Sequence, residues 1–432
     1  MRAVLGLLCL GFVSSLSIAQ VQPSFFGMHV NKLSSMPIEV PIGGMRLWDT
    51  ATNWFQVCPS SDYTQCNWER LDSWLAAAKR SGVSEVVYTF GKTPDWASSN
   101  ANGDCWGARP GACYPPRDLT SDGGGTDEAF RHFVEAIVEH NRRLDARVYA
   151  KIRFWGIANE PTVKFFWRGT TAQLVRMAKD ASEIIKRADP GALILTPEPA
   201  ANSRQKATDA AIEFLDEYLS KGGGKYTDVV AFHLYANAVS EHPVPEDVSR
   251  IVGRVKEELA KHPEVAGKPL WITECSWGKT EDTNWSREDE ASGFLVRFVV
   301  MAAWERVARI YWYGWDVPTG TLWWQGRSLP ASEAFKGVQK WLIGRSVSNC
   351  TDRDHVWSCD LTAGDYRGKI VWDEEYQQSS SYDASGFTTY KLINGTIGGI
   401  DSQNHILRVG NSPTLLELKQ PVSGRKSNTV SR

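Results

Sequence analysis

The sequence predicts a (β/α)8 TIM barrel with a C-terminal β-sandwich domain. Three observations carry this expectation. From about residue 24 to 318, short β-rich runs alternate with helical periodicity. The β-rich runs number eight. After about residue 340 the texture changes to short strands separated by Gly, Ser, Asn and Asp.

The eight runs are "SFFGMHV" (24–30), "GGMRLWD" (43–49), "EVVYTF" (85–90), "KIRFWGIA" (151–158), "ALILTP" (192–197), "VVAFHLY" (229–235), "PLWITE" (269–274) and "RIYWYGW" (309–315). Each is a nearly continuous apolar run, as parallel strands buried on both faces require. Eight strand–helix repeats favour a closed barrel over an open doubly wound sheet. No G-x-G-x-x-G follows an early strand, which counts against an open nucleotide-binding sheet.

The intervening helices carry ordinary start and stop signals. In "NWERLDSWLAAAKRSG", Trp68, Leu71, Leu75 and Ala78 share a face, and Gly82 sits where a helix stops. In "TDEAFRHFVEAIVEHN", Thr126 is the expected cap and Phe130, Phe133, Val134 and Ile137 form an apolar stripe. The helix over 171–189 ends before Pro190-Gly191. The first connection, 31–42, is too short and Pro-rich for a full helix.

In the C-terminal part, "HVWSCDLT", "KIVWDEEY", "FTTYKLI", "HILRVG" and "TLLELK" read as the strands. The expected division is a signal peptide over 1–19, a barrel over 20–338, a β-sandwich over 339–420 and a disordered tail over 421–432. The leader has Arg2, a short apolar stretch and "SIA" before Gln20. A secreted protein, extracellular or periplasmic, is therefore expected.

Cysteine usage agrees with an oxidising compartment. Of 8 Cys, Cys9 leaves with the leader, and six of the rest form the close pairs Cys58–Cys66, Cys105–Cys113 and Cys350–Cys359. Cys275 is left over and is expected as a buried free thiol. Asn284, Asn349 and Asn394 begin sequons. A net charge of −2 gives no reason to expect nucleic acid or an anionic membrane as partner. The 19 Trp are unusual and suggest aromatic core layers or flat ligand platforms.

Residues just past the carboxyl ends of barrel strands line the active face. There the second strand offers Arg46, Trp48 and Asp49, and the fourth Asn159 and Glu160. The sixth offers His233 and Tyr235, the seventh Glu274, and the eighth Trp312 and Trp315. Two carboxylates in an aromatic cleft are what glycoside cleavage requires. One gives a proton to the leaving oxygen; the other meets the positive charge building at the anomeric carbon. Strands four and seven lie across the mouth, so Glu160 and Glu274 can face each other. Pro161 disfavours helix at Glu160 and is expected to hold that turn extended.

"IANEP" ending strand four and "WITECSWG" ending strand seven resemble the retaining clan A (β/α)8 glycoside hydrolases. The resemblance implies Glu160 as acid/base and Glu274 as nucleophile. "RLWD" is similar to the clan's second-strand Arg, which implies that Arg46 contacts the nucleophile. "HLY" resembles the sixth-strand positions, here His233 and Tyr235. Asn159 would then bond the sugar 2-hydroxyl, and Trp312 or, by preference, Trp315 would take the eighth-strand aromatic place. The barrel-then-sandwich order is loosely similar to glycoside hydrolase family 39, although "IANEP" departs from its usual "W-N-E-P".

A lone Glu is ordinarily solvated surface; Glu160 and Glu274 stand apart because each terminates an apolar strand. Arg46 has a structural ion pair as its bland reading, and His233 a hydrogen-bonded core. Trp96, Trp167, Trp285, Trp323 and Trp324 are either packing or sugar platforms, and of these Trp96 joins Trp48 among the residues expected to bind substrate. The partner expected is a carbohydrate, a cell-wall polysaccharide or oligosaccharide. No metal or cofactor is signalled, and a total of 8 His counts against a metal-dependent hydrolase. A transglycosylase on the same scaffold and a non-catalytic carbohydrate-binding barrel are the competing readings.

Overall fold

The computed structural model describes residues 19–106, 109–236, 244–278 and 288–418. Residues 1–18 of the leader, the tail from 421, Trp285 and the sequon at Asn284 lie outside these residues.

The parallel sheet contains β1 (Phe26–Met28), β2 (Gly44–Leu47), β3 (Glu85–Thr89), β4 (Ile152–Gly156), β5 (Leu193–Leu195), β6 (Ala200–Asn202), β7 (Val230–Tyr235), β8 (Leu270–Ser276) and β9 (Arg309–Trp312). Its order is β5-β4-β3-β2-β1-β9-β8-β7-β6. A parallel bridge from Leu195 to Val229 joins the β5 end to the start of β7 and closes the ring. β5 and β6 are thus two pieces of one barrel strand, interrupted at 196–199 by Pro197 and Pro199, which cannot donate to the ladder. The sheet is the expected (β/α)8 barrel, with its fifth strand broken.

The helices are α1 (Trp54–Val57), α2 (Glu69–Arg80), α3 (Glu128–Arg143), α4 (Thr171–Ala188), α5 (Gln205–Ser220), α6 (Asp247–Leu259), α7 (Glu288–Trp304) and α8 (Pro330–Leu342). The first connection holds only a 3-10 turn, Leu33–Ser35. In α2, Gly82 follows the end with φ 70°, the left-handed conformation that lets a helix stop. The start of α3 departs from expectation. Its cap is Asp127, in the left-handed region at φ 51°, not Thr126. Thr126 Oγ1 is drawn away to Asp118.

Two apolar layers result. The larger lies between strands and helices. The smaller fills the barrel with Val87, Leu195, Val229, Ala231, Trp271 and Tyr311. A Cβ on Gly27 would lie 2.4 Å from the Tyr311 ring, so only glycine lets that ring fill the lumen. Above this plug the inward side chains turn polar.

C-terminal to the barrel, after the hairpin β10 (Trp323–Trp324) and β11 (Arg327–Ser328), come β12 (Ser346–Arg353), β13 (Val356–Ala363), β14 (Tyr366–Asp373), β15 (Ser379–Asp383), β16 (Thr389–Leu392), β17 (Ile397–Gly399), β18 (Ile406–Gly410) and β19 (Thr414–Glu417). They form a six-stranded antiparallel sheet, β12-β13-β14-β19-β16-β17, and a two-stranded sheet, β15-β18. This β-rich unit seats on the barrel: Trp372 Nε1 donates to Glu246 Oε1 at 2.8 Å, and Glu246 pairs with Arg297 at 2.6 Å.

Disulfides join Cys58 to Cys66, Cys105 to Cys113 and Cys350 to Cys359, the three expected pairs. Cys275 is free and buried. No helix among the described residues is long and apolar enough to cross a membrane.

Candidate active site

Side chains on one face of a strand recur every second residue. Arg46 on β2, Thr89 on β3 and His233 on β7 therefore point inward above the apolar plug. A register shift in β8 between Ile272 and Cys275 re-aims the strand at Glu274. Cys275 then faces outward; its Sγ lies 3.4 Å from the Tyr311 carbonyl, and burial pushes its thiol pKa well up. It takes no part in the mouth.

Arg46 is wholly buried and organises the site. Nη1 donates to Glu274 Oε2 at 3.0 Å, and Nη2 to Asn159 Oδ1 at 2.8 Å. Nη2 also pairs closely with Glu198 Oε2, and Nε donates to Thr89 Oγ1 at 3.2 Å. Tyr235 donates its hydroxyl to Glu274 Oε1 in a short bond. Each Glu274 oxygen therefore has a donor. Among the described residues Glu160 Oε1 meets only His233 Nδ1, at 2.9 Å, and that same nitrogen is 3.7 Å from Glu274 Oε2. A carboxylate oxygen from each glutamate and a nitrogen of His233 lie within 4.8 Å of one another.

Three ligand atoms so placed could embrace a cation. Arg46 and Tyr235 already direct donors at Glu274, however, and the fixed guanidinium charge beside it repels a metal ion. The donor set suits an organic substrate better.

Burial pushes both carboxyls up, Glu160 to about 7 and Glu274 to about 7. Mutual repulsion adds to the rise at Glu274, while His233, Arg46 and Tyr235 oppose it. His233 is pushed down to about 4, chiefly by its own burial, and so is neutral near pH 7. When the pair shares one proton, the charge is better placed on Glu274, which Arg46 and Tyr235 both bond, and the proton on Glu160, which feels the Arg46 charge but is bonded by neutral His233.

Glu160 adopts φ 42°, the left-handed region, and not the extended turn expected before Pro161. Two backbone bonds hold it there: Glu160 N–H donates to the Glu198 carbonyl at 2.9 Å, and Val163 N–H to the Glu160 carbonyl at 2.8 Å. A strained backbone at a reactive residue needs such surroundings to persist.

The other expected residues divide. Trp48 is buried against Phe166, with the Lys92 ammonium 5.5 Å above its ring. Trp96 packs on Trp54 and Tyr63 and reaches the Cys58 carbonyl, apart from the carboxylates. Trp312 faces outward onto Trp277, Phe294 and Phe298. Trp315 is almost wholly buried and joins the outer apolar layer. The aromatic that reaches the mouth from this strand is Tyr313, two residues beyond the inward Tyr311. Its hydroxyl donates to Asp49 Oδ2 at 2.8 Å and its ring meets His29 edge-on.

Two residues of the site were not anticipated, Tyr313 and Glu198. Glu198 ends the run "ALILTPE", the same pattern of apolar strand then carboxylate that marks Glu160 and Glu274.

A (β/α)8 barrel with paired glutamates at its mouth defines the class of clan A glycoside hydrolases. The model of the cellulase family, glycosyl hydrolase family 5, matches residues 41–319, and the chain belongs to that family. No curated protein matches it. Among solved structures it is similar to a family 39 glycoside hydrolase from the gut symbiont Bacteroides cellulosilyticus WH2, at 16% identity over 92% of this chain and 81% of that one, with a TM-score of 0.65. It is also similar to a GH30 endoxylanase from Clostridium papyrosolvens C71, at 13% identity over 93% and 98%, TM-score 0.60. A monomeric β-xylosidase from Caulobacter crescentus CB15 gives 15% identity over 93% and 97%, TM-score 0.59. At these identities the likeness concerns the fold, including the β-rich unit that follows the barrel.

Proposed function

We propose that the protein is a secreted hydrolase that cleaves β-glycosidic bonds in a cell-wall polysaccharide or oligosaccharide with retention of configuration. The observation that carries this reading is the approach of the Glu160 and Glu274 oxygens to within 4.8 Å. An approach under that limit favours double displacement, which takes carboxyls roughly 5 Å apart, over inversion, which takes them about 6.5–9.5 Å apart.

In the first step Glu274 attacks the anomeric carbon, the bond to the leaving oxygen breaks, and Glu160 gives that oxygen its proton. In the second, Glu160 takes a proton from water, whose oxygen displaces Glu274 from the sugar. Asn159 offers its amide Nδ2 to the 2-hydroxyl, since its Oδ1 is occupied by Arg46. The cellulase family match and the endoxylanase and xylosidase among the similar structures make β-linked glucan and xylan the first substrates to try. The three disulfides support an oxidising compartment.

Proton NMR of the first product from an aryl β-glycoside tests the stereochemistry: the β-anomer is expected, and the α-anomer would overturn double displacement. A 2-deoxy-2-fluoro glycoside should leave a stable adduct on Glu274, located by mass spectrometry of the peptide.

A further inference from the structure

We infer that Glu198 is a positioning residue of this reaction, whose charge sets how strongly Arg46 stabilises the Glu274 carboxylate and whose backbone fixes the turn bearing Glu160. The inference rests on the assignment of Glu160 and Glu274 above.

Glu198 is fully buried inside the barrel, where an acidic side chain is found only with a reason. It lies in the break between β5 and β6, so neither strand ladder absorbs its backbone. Instead its N–H donates to the Ala158 carbonyl at 2.9 Å, and its carbonyl accepts from Glu160 N–H at 2.9 Å. Strand four's reactive turn is thus clamped on both sides of Asn159 by one residue.

The side chain does a second task. Glu198 Oε2 takes Nη2 of Arg46 and the hydroxyl of Thr89, the latter at 3.2 Å. Around it stand Arg46 from β2, Thr89 from β3, His233 from β7, with Nε2 at 3.9 Å, and Tyr311 from β9. From β4, a side chain at Gly156 would place its Cβ 2.8 Å from Thr89 Oγ1 and 3.1 Å from Glu198 Oε1, so the barrel is kept open there for this hydrogen-bonded pair. Glu274 from β8 is reached through the Arg46 guanidinium and, at longer range, through the His233 ring between the two carboxylates. One guanidinium charge is therefore divided between two carboxylates. With a neutral residue at 198, the whole positive charge would act on Glu274. Its anion would be more stable, its conjugate acid stronger, and its oxygen a weaker nucleophile. Glu198 Oε1 has no hydrogen-bond partner among the described residues, so Oε2 alone carries the carboxylate's bonds to Arg46 and Thr89.

The test uses the full chain and the variants E198Q and E198D. The pH dependence of kcat and KM on an aryl β-glycoside is measured for each. In parallel, the Glu274 carboxyl is titrated by 13C NMR in glutamate-labelled protein, its resonance assigned by loss in E274Q. For E198Q the acidic limb and the Glu274 titration should both move down by roughly one pH unit. kcat should fall at least several-fold, with less change in KM. E198D, which restores the charge, should bring the titration back toward that of the wild type. A merely structural ion pair would lower stability and leave both titrations in place; that result overturns the inference. Should E198Q fail to fold, the pair E198D and E198N, alike in shape and different in charge, makes the same comparison. Absence of turnover and of a fluoroglycoside adduct in the wild type would sink the reading of the carboxylate pair instead, while the NMR titration would still report on Glu198.

Discussion

The Tyr235 hydroxyl donates to Glu274 Oε1, the one oxygen of that carboxylate that Arg46 does not hold. The bond favours the ionised form and so opposes the upward push of burial. In Y235F this opposition is lost and the Glu274 pKa rises further. The acidic limb of the pH–rate profile should move to higher pH, and kcat/KM should fall by roughly ten- to a hundredfold, the worth of a hydrogen bond to a charged group. A profile unmoved on its acidic side would show that Glu274 is not the group titrating there.

The proposed mechanism gives Glu160 a separable task, proton transfer to the leaving oxygen. E160A should therefore slow cleavage of a poor leaving group by on the order of 10²–10⁴. An activated aryl glycoside should lose much less in its first step. Azide, which needs no general base, should restore turnover and yield a β-glycosyl azide. Formation of an α-azide, or no rescue with any nucleophile, would contradict the assignment.

Asp127, at the start of α3, is fully buried with no donor to either oxygen among the described residues. Burial and the neighbouring Asp180 and Asp118 carboxylates push its pKa up to about 9, and Arg176 only partly offsets them. A folded pKa raised this far favours the native state fully below the unfolded value near 4. That contribution is lost as pH climbs toward 9. Asn tolerates the left-handed backbone and stays neutral. D127N should match the wild type in thermal unfolding near pH 4.5. At pH 8.5 it should exceed it by several kcal/mol, up to about 5, with a clearly higher Tm. Parallel Tm curves for the two proteins would refute a protonated Asp127.

Trp106 is 62% exposed in the β3–α3 connection, and Trp324 is 40% exposed on the β10–β11 hairpin. Both connections follow barrel strands at their carboxyl ends, the face that carries Glu160 and Glu274. Arg168 lies 5.3 Å from the Trp106 ring and steadies it. Such exposed faces suit sugar rings beyond the cleaved bond. W106A and W324A should each raise KM on a β-linked polysaccharide by roughly three- to tenfold. kcat/KM on a small aryl glycoside should stay unchanged. Equal losses on both substrates would place the rings in structure, not recognition.

The barrel was legible because its strands are apolar on both faces, and eight such runs leave little choice. Arg46, Glu160, His233, Tyr235 and Glu274 were legible for a related reason: a polar residue ending an apolar run must face something. Glu198 met the same criterion but lies between two prolines, which look like a loop and hide the strand's continuation at Ala200–Asn202. Tyr313 was obscured by its Trp neighbours. Only the inward position of Tyr311 decides the parity of that strand, and a run apolar on both faces carries no such mark. Strands such as Ser379–Asp383, "SSSYD", escaped because a half-exposed edge needs almost no apolar residues.

The bond from Trp372 to Glu246 makes the C-terminal unit part of the enzyme's foundation. Glu246 and Arg297 belong to the barrel's own outer wall, and Trp372 roofs them. A chain cut after Arg345 would uncover that ion pair to water, along with the apolar seat beneath it. Attempts to trim the protein to its catalytic half should therefore yield aggregates, and the two halves are best engineered, exchanged or inherited together.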